Sequence, residues 1–155
     1  MSARAKTIRN RHTRRMLAPT APGRAGRISV ALIDVHTLFR QGLAVLLRSE
    51  PDLTVVGEAS GGDAAIELAR RTQPDIILAD VQLPGTQPEE AVRRLAAAAP
   101  NSRIIVLTGR ADPAVIGTLL ELGASGYVVK SATRQDLVTM LRAVHRNVTP
   151  PPPPT

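Results

Sequence analysis

Pro74-Asp75-Ile76-Ile77-Leu78-Ala79-Asp80-Val81-Gln82-Leu83-Pro84-Gly85 is the stretch on which the fold turns. Its apolar run, Ile76 to Ala79, ends on a carboxylate, Asp80, and a proline-glycine turn follows at once. An unbroken apolar run of this length suits a strand buried on both faces, as parallel strands are. Open parallel sheets gather ligands and chemistry at the carboxyl ends of their strands. Asp80 is therefore expected where a reactive acid is useful.

Outward from that segment, strand and helix signals alternate five times. Ile28 to Ile33 reads as a strand ending at Asp34. A helical face of Phe39, Leu43, Leu46 and Leu47 follows and stops before Pro51. Leu53 to Val56 is a shorter strand, and Gly61-Gly62-Asp63 opens a helix with Ala65, Leu68 and Ala69 on one face. After the strand Asp75 to Asp80 comes a helix carrying Val92, Leu95 and Ala99, closed by Pro100. Arg103 to Leu107 is the fourth strand, finishing at Thr108. Asp112 is a good N-cap with Pro113 in the first helical position, and Gly123 closes that helix, whose inward face holds Val115 or Ile116 with Leu119 and Leu120. Gly126 to Val129 is a fifth strand ending at Lys130, and Thr133 to Arg146 a last helix with Leu137, Leu141 and Val144 inward. Five βα units with short connections predict an α/β three-layer sandwich with a parallel sheet and right-handed crossovers.

Composition bounds what such a fold can do. Of 155 residues, 43% are apolar, yet the chain has one Phe, one Tyr and no Trp, so the core must be built from Ala, Leu, Ile and Val. The absence of cysteine excludes disulfides, thiolate catalysis and cysteine-ligated metals. No apolar run approaches the roughly 20 residues of a membrane span, so a cytoplasmic location is expected. Residues 1–27 carry Arg4, Lys6, Arg9, Arg11, Arg14, Arg15, Arg24 and Arg27 without one acid, a charge of +8, while the remainder sums to −1. The leading segment has no apolar period and is expected to be disordered. It reads as a polybasic arm for nucleic acid or anionic membrane, a targeting peptide, or an extension upstream of a start at Met16. Arg14-Arg15-Met16-Leu17 mimics a twin-arginine signal but lacks a following apolar region. Residues 148–155, with Pro150 to Pro154, read as a proline-rich tail or truncated linker, or a ligand for a proline-reading module.

With the strand order 2-1-3-4-5 common to flavodoxin-like sheets, strands one, three, four and five deliver Asp34, Asp80, Thr108 and Lys130 to one edge. Each has a role in phosphoryl chemistry. A carboxylate can attack phosphorus, a second can hold Mg²⁺, and an ammonium and a hydroxyl can neutralise and bond the equatorial oxygens. Taken singly, Asp34 is also a plausible helix cap, Thr108 a plain strand-end residue and Tyr127 a core-edge residue. His36 reads as a helix-start residue, and no spacing suggests a histidine metal site.

Over roughly Ile28 to Asn147 the chain resembles the receiver domain of bacterial two-component response regulators, a CheY-like fold, and its wording is similar to the NarL/FixJ subfamily. The resemblance rests on Leu43-Ala44-Val45-Leu46-Leu47, Glu50-Pro51-Asp52-Leu53, Val56-Gly57-Glu58-Ala59, Pro74-Asp75, Leu83-Pro84-Gly85 and Gly123-Ala124-Ser125-Gly126-Tyr127-Val128-Val129-Lys130. It implies a receiver over 28–147, with Asp80 as phosphoacceptor, Thr108 as switch hydroxyl and Lys130 as phosphate-binding lysine. It further implies Tyr127 as an aromatic whose rotamer couples to Thr108. Mg²⁺ is implied on Asp34, Asp80 and the Gln82 backbone carbonyl, and a histidine kinase or small phosphodonor as partner. Output is expected through the face of the fourth helix, fifth strand and fifth helix, or through a homodimer, in transcriptional regulation. No enzymatic activity beyond self-catalysed phosphotransfer is expected.

Three departures qualify that picture. Val35 stands where the family has a second acid, which weakens Mg²⁺ binding. Thr86-Gln87-Pro88 replaces the usual Met-Asp-Gly. Prolines come where the subfamily's DNA-binding domain begins, so operator recognition is not expected of this chain. A pseudo-receiver set by a ligand or protein partner is the second reading. An independent phosphatase or flavodoxin-like enzyme ranks last, because position 82 is Gln and Val35-His36-Thr37-Leu38 is no phosphate loop.

Overall fold

The structure is a computed structural model, and it describes residues 26–147. All but residues 26 and 27 of the basic leading segment, and the whole proline-rich tail 148–155, lie outside the described residues. Five units alternate: β1 (Ile28–Ile33), α1 (Thr37–Arg48), β2 (Leu53–Ala59), α2 (Gly62–Thr72), β3 (Ile76–Asp80), α3 (Pro88–Ala98), β4 (Arg103–Thr108), α4 (Pro113–Glu121), β5 (Ala124–Val129) and α5 (Arg134–His145). The strands form one parallel sheet in the order β2-β1-β3-β4-β5. This is the flavodoxin-like sandwich expected, with its crossing point between β1 and β3.

Alternation along the strands sorts the core into two layers. Ala31, Ile33, Ile77, Ala79, Ile104 and Val106 pack with Leu68 of α2, Leu95 of α3 and Leu119 of α4. Val30, Leu32, Ile76, Leu78, Ile105 and Leu107 pack with Leu47 of α1 and Leu141 of α5 on the other face. Every residue of β1, β3 and β4 is buried, which is why these strands read as unbroken apolar runs. Each fully buried Leu or Ile contributes about 1.5–3 kcal/mol, so the aliphatic core suffices without aromatic mass.

The helix ends follow the sequence signals. Asp112 accepts a hydrogen bond from the Ala114 amide at 3.0 Å, Pro113 opens α4, and Thr133 accepts from the Asp136 amide at 3.1 Å to cap α5. Ile116 is the buried residue of the pair Val115 and Ile116. The second strand is longer than expected, running to Ala59, with an irregularity opposite Val30 and Ala31. A Cβ on Gly57 would stand 2.4 Å from Leu68 Cδ1, so glycine there lets α2 settle onto the strand. The fifth strand begins at Ala124 rather than Gly126.

At the N-terminal edge, Asp75 accepts from the Ser29 amide at 2.9 Å and the Ser29 hydroxyl at 3.0 Å, pinning the start of β1 to that of β3. Arg142 of α5 grips Asp52 in a two-pronged contact, 2.8 Å on each oxygen, and reaches Glu50 at 2.9 Å. This clamp fixes α5 to the loop after α1.

Candidate functional site

The same alternation that builds the two layers builds the site. Asp34 is in phase with Val30 and Leu32, Asp80 with Ile76 and Leu78, and Lys130 with Val128, all packed on the α1/α5 side. The three side chains meet at the carboxyl edge of the sheet. Lys130 Nζ lies 2.8 Å from Asp34 Oδ2 and 2.8 Å from Asp80 Oδ2, bridging two nearly buried carboxylates. Its position is supported by its own amide, which donates to the Thr108 carbonyl at 2.7 Å, and by the Phe39 ring, 4.8 Å from the ammonium. Burial opposes the charged form of Lys130, but the contacts with Asp34 and Asp80 outweigh it and raise its pKa above the ordinary lysine value.

Both acids are held by the same local device. Asp80 Oδ1 accepts from the Gln82 amide at 2.9 Å, and Asp34 Oδ1 accepts from the His36 amide at 2.8 Å. Each carboxylate thus folds back on the chain two residues on and leaves its second oxygen free to face Lys130. Arg40 of α1 donates to the Asp34 carbonyl at 2.6 Å and pairs with Glu58 at 3.1 Å, tying the end of β1 to β2.

Thr108 and Tyr127 stand apart from this cluster. Thr108 is in phase with Ile104 and Val106, on the face that carries α4, and its hydroxyl donates to the Arg110 carbonyl at 2.8 Å. Tyr127 is half-buried against the same layer. The two residues read as a switch pair therefore share one face, and the charged groups share the other.

His36 is the residue that sequence reasoning underrated. It does occupy the N-cap position of α1, as a helix-start residue, yet its side chain makes no cap hydrogen bond. The ring turns into the acidic cluster instead, with Nδ1 2.9 Å from Asp34 Oδ1, 3.9 Å from Asp80 Oδ2 and 3.0 Å from Lys130 Nζ. Ligand atoms of Asp34, His36 and Asp80 all lie within 4.8 Å of one another. Sequence spacing suggested no histidine metal site; the fold places His36 beside the two acids, which the spacing did not indicate. The i, i+2 relation to Asp34 is local, but Lys130, 94 residues away, completes the arrangement.

The cluster can be tested for a divalent cation on its own terms. Asp34 Oδ2 is buried and is paired with the Lys130 ammonium at 2.8 Å, as is Asp80 Oδ2. Two convergent carboxylates with a spare lone pair fit a cation. Val35, apolar and partly exposed, offers no oxygen, so the set is one acid short of the family pattern.

The model of the response regulator receiver domain family matches residues 30–142. The chain belongs to this family. The receiver is 38% identical over 118 residues to the nitrate/nitrite response regulator NarL of Escherichia coli, covering 76% of this chain and 53% of that one. It is 37% identical over 120 residues to the transcriptional regulatory protein YxjL of Bacillus subtilis, covering 77% and 55%. It spans about half the length of the curated relatives it matches. Among solved structures, a LuxR-family two-component response regulator from an Aurantimonas species superposes with a TM-score of 0.74 at 33% identity, over 81% of this chain and 91% of that one. The response regulator domain of Thermotoga maritima CheB gives 0.70 at 27% identity, over 80% and 99%. Among the described residues, no helix is long and apolar enough to cross a membrane.

Proposed function

We propose that this receiver accepts a phosphoryl group on Asp80 from a histidine kinase or small phosphodonor, and relays the change through its α4-β5-α5 face to transcriptional output. The carrying observation is the Lys130 ammonium bridging Asp34 and Asp80 at 2.8 Å each. Asp80 Oδ2 faces that ammonium, while Oδ1 is held by the Gln82 amide, so the carboxylate is fixed for attack on phosphorus. As the P–O bond to Asp80 forms, the bond to the donor breaks and the donor's leaving group departs. Lys130 then has a phosphoryl oxygen to pair with, and Thr108, at the end of β4, is the hydroxyl that can turn from Arg110 towards the new charge.

Asp34, Asp80 and the Gln82 carbonyl would hold Mg²⁺, which would supply charge neutralisation to the transferring group. The missing acid at Val35 makes that assistance weak. The regulatory unit spans 28–147, with the basic segment 1–27 and residues 148–155 as flanking pieces. The NarL and YxjL likenesses support a regulatory output, and a homodimer is one form it can take.

The test is intact mass after incubation with acetyl phosphate and Mg²⁺, with Asp80→Asn as control. A phosphoryl adduct on the wild type alone is expected. No adduct at high Mg²⁺ would transfer the protein to the phosphorylation-independent pseudo-receivers.

A further inference from the structure

We infer that the amino edge of the sheet, opposite the Asp80 cluster, binds the phosphate backbone of a nucleic acid, with the basic segment 1–27 leading onto it.

Arg103 marks the place. It opens β4 and is 8% exposed, yet its Nε meets no hydrogen-bond acceptor. Burial lowers its pKa below the ordinary guanidinium value, and the one carboxylate that opposes this, Asp75, acts on it through charge alone. Asp75 is itself engaged by the Ser29 amide and hydroxyl, at 2.9 and 3.0 Å. An arginine is rarely buried without a partner of opposite charge. A phosphate oxygen at the edge supplies that partner.

The surroundings carry the same sign. Arg103 is in phase with Ile105 and Leu107, on the α5 side, and half-buried His145 lies within electrostatic range of both Arg103 and Arg146. Arg27, just before β1, and Arg146, at the end of α5, are both exposed. The acids nearest them in the fold are taken: Arg142 grips Asp52, and Arg134 and Arg142 hold Glu50. Glu121 ends α4, on the opposite face from Arg103. Arg9, Arg11, Arg14 and Arg15 are among seven further cations that precede Arg27 with no acid between them.

The partner follows from the residue types. The planar arginine fork pairs with two phosphate oxygens at once. An anionic membrane would ask for an apolar face beside the charges, and residues 1–27 have no Phe, Tyr or Trp and no apolar period. β1 and β4 are six residues each, so the edge lies about 20 Å from Asp80, far enough for a nucleic acid and a phosphoryl group to be held together. Contacts with the backbone alone carry no base readout.

Fluorescence anisotropy of labelled DNA duplexes, titrated with the full chain between about 50 and 200 mM salt, tests this. The wild type is expected to bind two unrelated duplexes alike and to lose about a hundredfold or more in affinity over that range. The slope of log affinity against log salt should flatten by about 2 in Arg27→Ser with Arg146→Ser, and by about 1 in Arg103→Met. Arg9→Ser, Arg11→Ser, Arg14→Ser and Arg15→Ser together should flatten it by about 3 to 4. Arg103→Met removes an unpaired buried charge and keeps the apolar stem, so its Tm should not fall. If only the substitutions before Arg27 move the slope, the edge is no phosphate site and the inference falls. It falls equally if the duplexes stay unbound at about 50 mM salt, or if phosphatidylserine vesicles are bound in their place. The receiver reading stands either way, because phosphorylation of Asp80 is measured separately and uses none of these residues.

Discussion

Replacing Lys130 by Met removes the ammonium and keeps most of the apolar stem that packs near Phe39. At 2.8 Å and an effective dielectric of about 20, each carboxylate contact is worth roughly 6 kcal/mol of Coulomb energy before desolvation is subtracted. Desolvating three charges offsets most of that. The relevant figure is the cost of stranding the partners, about 3–5 kcal/mol for a buried pair. Asp34 and Asp80 side chains are 2% and 6% exposed but Lys130 is 16% exposed, which argues for the low end, about 3 kcal/mol. For a chain of this size that is a fall of about 10–15 °C in Tm. Urea denaturation of the wild type, Lys130→Met, and Lys130→Met with Asp34→Asn reads it directly. The double variant should recover about 1–2 kcal/mol, because one stranded charge is gone. A divalent cation should raise the Tm of Lys130→Met more than that of the wild type, since ammonium and metal compete for the same oxygens. A loss below about 1 kcal/mol together with no recovery in the double variant would refute the view that Lys130 compensates these acids.

Val35→Asp restores the second acid and should tighten Mg²⁺ by about tenfold or more in a calorimetric titration; an unchanged affinity would count against the cation assignment. Gly57→Ala drives a Cβ to 2.4 Å from buried Leu68, so a loss of about 1–3 kcal/mol is expected in urea melts. Burial, reinforced by Arg103 and Arg146 against an opposing pull from Asp75, lowers the pKa of His145 below its ordinary 6.5. The folded state therefore resists the proton more than the unfolded chain does. The stability this group contributes is present in full above pH 6.5 and is lost as the pH falls through the lowered folded value. A Tm series from pH 8 to 5 should fall less steeply for His145→Gln than for the wild type.

Where the sequence was legible, a local pattern coincided with burial. Ile28 to Ile33 is buried throughout, and the strand has the bounds its apolar run suggests. Asp34, Asp80 and Lys130 were legible because each ends such a run, and strand order alone brings them together. Boundaries failed where a distant contact decides. Gly57 and Glu58 break the apolar pattern of the second strand, yet they remain in it because Leu68 closes over one and Arg40 pairs with the other. The place of His36 in the cluster was illegible for the same reason. Its helix-start character is local, whereas its place beside Lys130 depends on the closure of the whole sheet.

The parity of the strand ends has a mechanical consequence on the receiver reading. Asp34, Asp80, Lys130 and His36 lie on the α1/α5 side, and Thr108 and Tyr127 lie on the α4 side. The backbone supplies the link: the Lys130 amide donates to the Thr108 carbonyl at 2.7 Å, and the Thr108 hydroxyl holds Arg110 just before the α4 cap at Asp112. On that reading, a phosphoryl oxygen that draws Lys130 away from the acids would be felt at the end of β4 through this bond. An apolar residue at position 130 would leave the hydrogen bond intact but give an incoming charge nothing to pull. On that reading Lys130 would couple two faces that the alternation of the sheet otherwise keeps separate, a role for a half-buried ammonium beyond stability.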